Sequence, residues 1–347
     1  MSNSVPGIDL ERLLPWFRAN VAPVDELSAE LIGHGRSNLT YRLRSGDDSW
    51  VLRRPPLSHV QATAHDMSRE FRILSALAPT DFPAPKPYAL CSDESVNGAQ
   101  FYVMEYVGGF IAVDAVEVSK RFDESRRRKI GEELVDVLVK LHSFVPAEIG
   151  LSDFGKPQGY LERQVRRFSD QLAQIRYRET PELDELARRL KGAIPAERKP
   201  GIVHGDYRLD NAILNDEGHI IAVLDWEMCT LGDSLADMGL LRMYWGSPTS
   251  AQLAIGGMTV MTLPGFPTWE EAAALYEEKS GTDLRGLDFY TVLAHFKLGV
   301  ILENMYKRFL AGGTVGAGFE VIGQQAVLLG KRGLAIADES AIAALRG

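Results

Sequence analysis

The stretch Ile202-Val203-His204-Gly205-Asp206-Tyr207-Arg208-Leu209-Asp210-Asn211 runs into Ala212-Ile213-Leu214. After the polar turn Asn215-Asp216-Glu217-Gly218 the chain continues as Ile220-Ile221-Ala222-Val223-Leu224-Asp225-Trp226-Glu227. Two short apolar runs around a polar, glycine-containing turn predict a β-hairpin. His-Gly-Asp-x-x-x-x-Asn precedes the first run, and the second runs straight into an aspartate. Asp206, Asn211 and Asp225 therefore fall at strand ends and in a tight loop, where their oxygens can be brought together. Magnesium takes a few hard oxygen ligands and keeps its other positions for water and phosphate; Asn211 and Asp225 suit that role. Asp206, a carboxylate ahead of the asparagine, suits the removal of a proton from an attacking hydroxyl. Taken singly, each has a plainer reading, as a turn cap, an Asx turn or a strand-end loop residue. The three together at this spacing around one hairpin favour chemistry.

Base aspartate, metal asparagine and metal aspartate in that chain order are the arrangement of kinases. His204-Gly205-Asp206 with Asn211, an apolar strand and Asp225-Trp226-Glu227 resembles the aminoglycoside phosphotransferase and choline kinase superfamily of small-molecule kinases. The wider pattern most resembles the branch fused in some members to acyl-CoA dehydrogenases, and the resemblance covers about Leu31 to Leu310. Protein kinases carry Arg where Gly205 stands and Phe-Gly after the second aspartate. The missing Arg removes the usual link to a phosphorylated activation loop. The resemblance implies an α+β, bilobal protein-kinase-like fold. A small antiparallel-sheet N-lobe would span residues 1–107, and a larger helical C-lobe residues 108–347. It implies Mg2+ and ATP as cofactors, with GTP equally open, and a small-molecule hydroxyl as acceptor.

Composition sets outer bounds. The chain has 347 residues, 45% hydrophobic and 24% charged, enough for two lobes with their own cores. Its net charge of -9 argues against nonspecific binding to nucleic acid or an anionic membrane surface. It leaves nucleotide binding open, because a metal ion and a few local cations set the field at a phosphate site. Two cysteines, Cys91 and Cys229, suggest neither a disulfide framework nor a metal cluster. The absence of a basic segment followed by an apolar core predicts no secretory signal, and no apolar run is long enough to span a membrane. A cytoplasmic protein is the expectation; oligomeric state is not legible.

In the first lobe, residues 8–20 predict a helix capped by Asp9, with Pro15 tolerable only in its first turn. Strand, glycine-containing turn and strand follow from Leu31 to Leu43. Gly33 and Gly35 allow backbone to approach a phosphate, and Ser37 and Asn38 add donors, although a plain hairpin would read the same. The related branch carries a Gly-Gly-Gln-Ser-Asn type of loop, from which this one departs. Trp50–Arg54 is a strand stopped by prolines, with Val51 and Arg53 on one face. In the kinase comparison Arg53 takes the place of the phosphate-binding lysine; an edge-strand surface arginine is the alternative, and Arg54 is the choice if the register is off by one. Glu70 lies inside the apolar stripe Met67, Phe71, Leu74, Leu77, where a carboxylate needs a partner, and Arg53 is the one available. Phe101–Val107 is a buried type of strand. As the kinase hinge it would place Met104 behind the base, with the Glu105 carbonyl and Val107 N–H on its edge.

The second lobe reads as helices. One runs from an Asp123 cap to about His142, with Arg126 to Lys129 as a solvated cationic face or, as the alternative, a contact for an anionic substrate such as a coenzyme A phosphate; two amphipathic helices follow before the hairpin. Arg208 can stabilise a transferring phosphoryl group or form a surface pair with Asp210. His204 reads as a packed structural residue. Asp237 matches a family aspartate that braces the catalytic loop, and Asp233 reads as an N-cap. The superfamily motifs are weak for substrate. A hydroxy acid or hydroxyacyl-CoA acceptor follows from the fused relatives by analogy; aminoglycoside phosphorylation and nucleotide binding without transfer are the alternatives.

Overall fold

The computed structural model describes residues 5–32, 38–57, 66–245, 259–312 and 319–347. The chain divides into two compact units. The first comprises Met1–Ile111, Ile149–Leu151 and Asn211–Cys229, and the second Ala112–Glu148, Ser152–Asp210 and Thr230–Gly347.

The first unit is built on a five-stranded antiparallel sheet of β1 (Ser28–Leu31), β2 (Leu39–Ser45), β3 (Asp48–Arg54), β4 (Pro87–Cys91) and β5 (Phe101–Glu105), ordered β1-β2-β3-β5-β4. The sequence reading gave no strand for β4. It is an edge strand opened by Pro87, a position where a missing N–H is tolerated. Helix α1 (Leu10–Asn20) covers one face, burying Leu13 and Phe17 against Leu43, Trp50, Leu52 and Phe101. Asp9 caps it, accepting from the Arg12 amide at 3.2 Å. Because α1 begins at Leu10, Pro15 lies beyond the first turn. Burial of that apolar face outweighs the lost hydrogen bond. Helix α2 (Met67–Leu77), capped by Asp66, buries Met67, Glu70, Ile73, Leu74 and Leu77. Ile73 rather than Phe71 belongs to the buried stripe, which puts Glu70 at its centre.

A short helix α3 (Glu94–Asn97) precedes β5. The strands β6 (Phe110–Ile111), β7 (Gly201–Val203), β8 (Ala212–Leu214), β9 (Ile220–Val223) and β10 (Thr230–Gly232) form two further sheets. In the first unit β8 pairs with β9 and β6, so the hairpin expected around Asn215–Gly218 is present. In the second unit β7 pairs with β10.

The second unit is otherwise helical: α4 (Ala115–Arg121), α5 (Glu124–Ser143), α6 (Tyr160–Ile175), α7 (Pro181–Gly192), α8 (Leu235–Tyr244), α9 (Trp269–Ser280), α10 (Leu287–Leu310), α11 (Ile322–Glu339) and α12 (Ala343–Arg346). Asp123 caps α5, and Thr268 with Glu271 forms a capping box on α9. The solvated-face reading fails for Arg127. It shares the buried side of α5 with Ile130 and Leu134, and its guanidinium donates to the carbonyls of Pro264 (2.7 Å) and Phe122 (2.9 Å). Asp233 accepts from the Leu235 amide at 3.1 Å, although Ser234 is the residue at the N-cap of α8. Among the described residues no helix is long and apolar enough to cross a membrane.

Helices α8 and α10 cross at Gly239, where an added Cβ would lie 2.4–2.6 Å from Tyr290 backbone and Cβ. Backbone cannot swing aside as a side-chain end can. Gly239→Ala should therefore destabilise the protein by about 1–3 kcal/mol, read as a lower urea midpoint. An unchanged midpoint would contradict this close crossing.

Candidate active site

In the first unit, strand register decides which side chains meet. Arg53 on β3 lies directly opposite Tyr102 on β5, and Val51 opposite Met104. Arg53 Nη1 stands 3.4 Å from Glu70 Oε2, and Nη2 stands 3.2 Å from Asp225 Oδ1. Glu70 is only 2% exposed. It accepts from the Tyr102 hydroxyl at 2.8 Å and from Asn38 Nδ2 at 2.9 Å, and the same Asn38 nitrogen reaches Glu227 at 3.1 Å. Burial opposes the Arg53 charge, but Tyr102, Glu70 and Asp225 outweigh it and raise its pKa. Burial pushes the Glu70 carboxyl up, with Arg53, Tyr102 and Asn38 pulling against it. Arg53 Nε is buried without a partner among the described residues. Arg53 takes this position in the observed register, and Arg54 instead donates to the carbonyls of Gly7 and Asn97.

Asp225 follows β9 with φ 65° and ψ 61°, the one non-glycine residue in the left-handed region among those described. Aspartate tolerates this conformation better than most residues, and such strain concentrates at functional sites. The turn is held from several sides. The Leu224 amide donates to the Asn211 carbonyl (2.7 Å), the Val223 amide to the Pro83 carbonyl (2.8 Å), and Trp226 Nε1 to the Val223 carbonyl (2.9 Å). Asn211 is buried at the end of the 3-10 turn Leu209–Asn211. Its amide oxygen and the one-third-exposed Asp225 carboxylate are hard donors of the kind magnesium takes. Among the described residues no group of three or more His, Cys, Asp and Glu side chains gathers to hold a metal. An ion here would depend on these two oxygens plus phosphate and water, magnesium's ordinary habit.

Met104 is buried on β5. Glu105 ends that strand with its amide donating to the Lys86 carbonyl at 2.8 Å, and Val107 follows, partly buried. Gly109 lies against β8, where a Cβ would meet the Leu214 carbonyl at 2.6 Å. Gly35 and Ser37 lie outside the described residues.

In the second unit, the loop carrying Asp206 is fixed by Asp237. This residue is fully buried on α8, and it accepts from the backbone amides of His204 (2.7 Å) and Gly205 (2.8 Å). His142 Nε2 lies 3.2 Å from the same carboxylate, leaving Nδ1 to accept from the Tyr276 hydroxyl at 2.7 Å. Burial alone would raise the Asp237 pKa; His142, His204 and the Gly205 amide overcome it and hold it below the usual aspartate range. Gly205 has φ 88°, which explains a glycine here in place of a side chain. His204 is fully buried, accepting from the Asp206 amide at 3.2 Å, and Tyr207 donates to the Leu134 carbonyl at 2.7 Å. Arg208 lies 3.3 Å from Asp206 and 2.7 Å from Asp210, above the Tyr244 ring. Arg208 thus pairs with Asp210, and Asp206 joins the pair, but Arg208 and Asp210 are largely buried rather than at the surface. Burial opposes the Arg208 charge, yet Asp206, Tyr244 and Asp210 raise its pKa.

Residues 28–275 match the model of the phosphotransferase enzyme family, APH. The chain belongs to this family. It is 32% identical over 344 residues to acyl-CoA dehydrogenase family member 11 of Gallus gallus, covering 96% of this chain but 43% of that protein. The family chain therefore spans less than half of that curated relative. A presumed aminoglycoside phosphotransferase from Ralstonia eutropha JMP134 is 33% identical, with a TM-score of 0.81 and coverage of 95% of this chain and 98% of that one. A thermostable aminoglycoside phosphotransferase APH(4)-Ia mutant, in ternary complex with ADP and hygromycin B, shares 12% identity at TM-score 0.59, covering 93% of this chain and 97% of that one. The fold is the α+β, two-lobed kinase-like fold.

Tyr102, His142 and Tyr276 were missed as supports of the site. Strand register gives the first, and no local signal gives the other two. The Asp237 carboxylate, its folded pKa below the unfolded one, contributes stability in full above the ordinary aspartate pKa and loses it as pH falls through the lower folded value. Asp237→Asn should thus cost about 1–3 kcal/mol at neutral pH, and the gap should narrow below about pH 4. Denaturation of both proteins across pH measures it; a gap that does not change with pH would contradict the assignment.

Proposed function

We propose that the chain transfers the γ-phosphoryl group of ATP to a hydroxyl of a small-molecule acceptor, with magnesium. The cluster of Arg53, Glu70 and Asp225 supports this reading above all other observations. It joins a phosphate-seeking cation, its bracing carboxylate and a metal-binding carboxylate. Residues 1–107 form the nucleotide-binding lobe in this reading.

Arg53, braced by Glu70, holds the nucleotide phosphates. Met104 backs the base, and the Glu105 carbonyl and Val107 N–H bond its edge. Gly35 and Ser37, which lie outside the described residues, are the further phosphate contacts that the sequence suggests. These base contacts are made by backbone, so the side chains at 105 and 107 do not set them. Asn211 and Asp225 hold magnesium, which when bound offsets the phosphate charge. Asp206 orients the acceptor hydroxyl and takes its proton, and the rigid backbone amides bound to Asp237 keep that carboxylate in place. Arg208, already beside Asp206, offsets charge developing on the transferred group. An aliphatic hydroxy acid or hydroxyacyl-CoA is the acceptor class suggested by the relatives' names. A second reading, nucleotide binding without transfer, draws on the arginine at position 53 in place of lysine.

Asp206→Asn should lower kcat by about 10²–10⁴ in an ADP-release assay over hydroxy acids, hydroxyacyl-CoAs, aminoglycosides, choline and sugars; full turnover in the variant would sink the base assignment. Asp225→Ala should abolish magnesium-dependent ATP binding by calorimetry, and an unchanged affinity would remove the metal role.

A further inference from the structure

Carboxylates hold many of the cations of the second unit. Arg128 holds Glu132 and Glu271, Arg176 holds Asp184, and Arg188 and Arg189 share Glu185. Arg198 and Lys199, consecutive and exposed ahead of β7, form no such pair among the described residues. Arg198 donates to the Asp283 carbonyl at 3.3 Å, and the Asp283 carboxylate is itself held by Arg285. Both cations line a cavity of about 240 Å³, far more than one water needs. Its walls come from the end of α5 and the residues after it, the start of β7, Ser234 before α8 and Thr282 after α9, all in the second unit. Among the described residues no carboxylate lines it. The Ser234 and Thr282 hydroxyls make no hydrogen bond among the described residues, so each has a donor to give. The Ser143 hydroxyl is spent on the Lys140 carbonyl at 2.8 Å. The first amides of α8 are spent as well, Leu235 on the Asp233 carboxylate and Ala236 and Asp237 on the Asp233 and Ser234 carbonyls. The donors on offer are therefore side chains, not the helix end. An adjoining cavity that Arg198 also lines carries Glu162, Glu197 and Asp233, the wrong sign for an anion.

Two cations and two uncommitted hydroxyl donors around one cavity, in a chain of net charge -9, match a compact dianion. We propose that this cavity binds a phosphate group, either free or on a small monoester. A guanidinium fork, an ammonium and hydroxyls are the donors that a tetrahedral oxyanion takes, whereas a carboxylate would answer only one of the two charges. His142, which also lines the cavity, lies 3.2 Å from Asp237, the carboxylate that fixes the loop carrying Asp206. An occupant would therefore adjoin the brace of that loop without using Asp206, Asn211 or Asp225. The proposal stands apart from the phosphotransferase reading, because binding alone tests it.

The test is calorimetric titration of inorganic phosphate, glycerol phosphate and acetate, at matched ionic strength, into the wild type, Arg198→Met, Lys199→Met and Lys199→Arg. The wild type should bind phosphate or its ester in preference to acetate. Arg198→Met and Lys199→Met should each weaken that binding by about tenfold, while Lys199→Arg keeps it. Both side chains are exposed, so the ligand-free variants should melt with the wild type. Tighter binding of the ester would assign an organic phosphate to the site, and equal or weaker binding free phosphate. Three results would overturn the proposal. One is no binding of either phosphate by the wild type. Another is acetate or added chloride competing as well as phosphate, which would mean surface charge alone. The third is an affinity indifferent to both Arg198 and Lys199, which would put the bound phosphate elsewhere on the protein.

Discussion

One buried guanidinium organises the first unit. Arg53 sits between Glu70 and Asp225, contributed by a strand, a helix and a hairpin far apart in the chain. A buried charge that loses its partner costs about 3–5 kcal/mol, so β3, α2 and the end of β9 are tied by a penalty rather than by packing alone. The same interaction accounts for arginine where the kinase comparison expects lysine. A planar fork can give one nitrogen to each of two carboxylates, and a single ammonium does this less well. Tyr102 and Asn38 complete the arrangement by donating to Glu70, and Asn38 extends it to Glu227.

The second unit uses the same principle with a carboxylate at the centre. Asp237 takes two consecutive backbone amides and a histidine, so the loop bearing Asp206 has little freedom. Gly205 is the local concession, since the loop passes through a left-handed conformation that a side chain would strain. Both units thus offset the cost of burying charge with hydrogen bonds and ion pairs, Arg53 Nε excepted, and both do so next to the residues assigned to chemistry.

The β8–β9 hairpin was legible because apolar runs, turn residues and oxygen-bearing side chains fall within one short stretch. The Arg53–Glu70 pair was legible because a carboxylate inside an apolar helical stripe needs a cation, and alternation along β3 provides one. Tyr102 was not, because nothing local says that it stands opposite Arg53. His142 and Tyr276 were not, because His142 reaches Asp237 from α5 and Tyr276 bonds His142 from α9, each distant in sequence. The run Arg126 to Lys129 misled for a different reason. Composition suggests a wet face, yet helical spacing places Arg127 with Ile130 and Leu134, and carbonyl acceptors make its burial tolerable. Pro15 shows packing overriding a local rule.

The most direct test of the account is phosphorus NMR of Mg-ATP incubated with the protein and a hydroxy acid. A phosphate monoester of the acceptor should appear in step with ADP, and neither product when magnesium is chelated. ADP accompanied by inorganic phosphate alone, or a monoester formed without the metal, would contradict it.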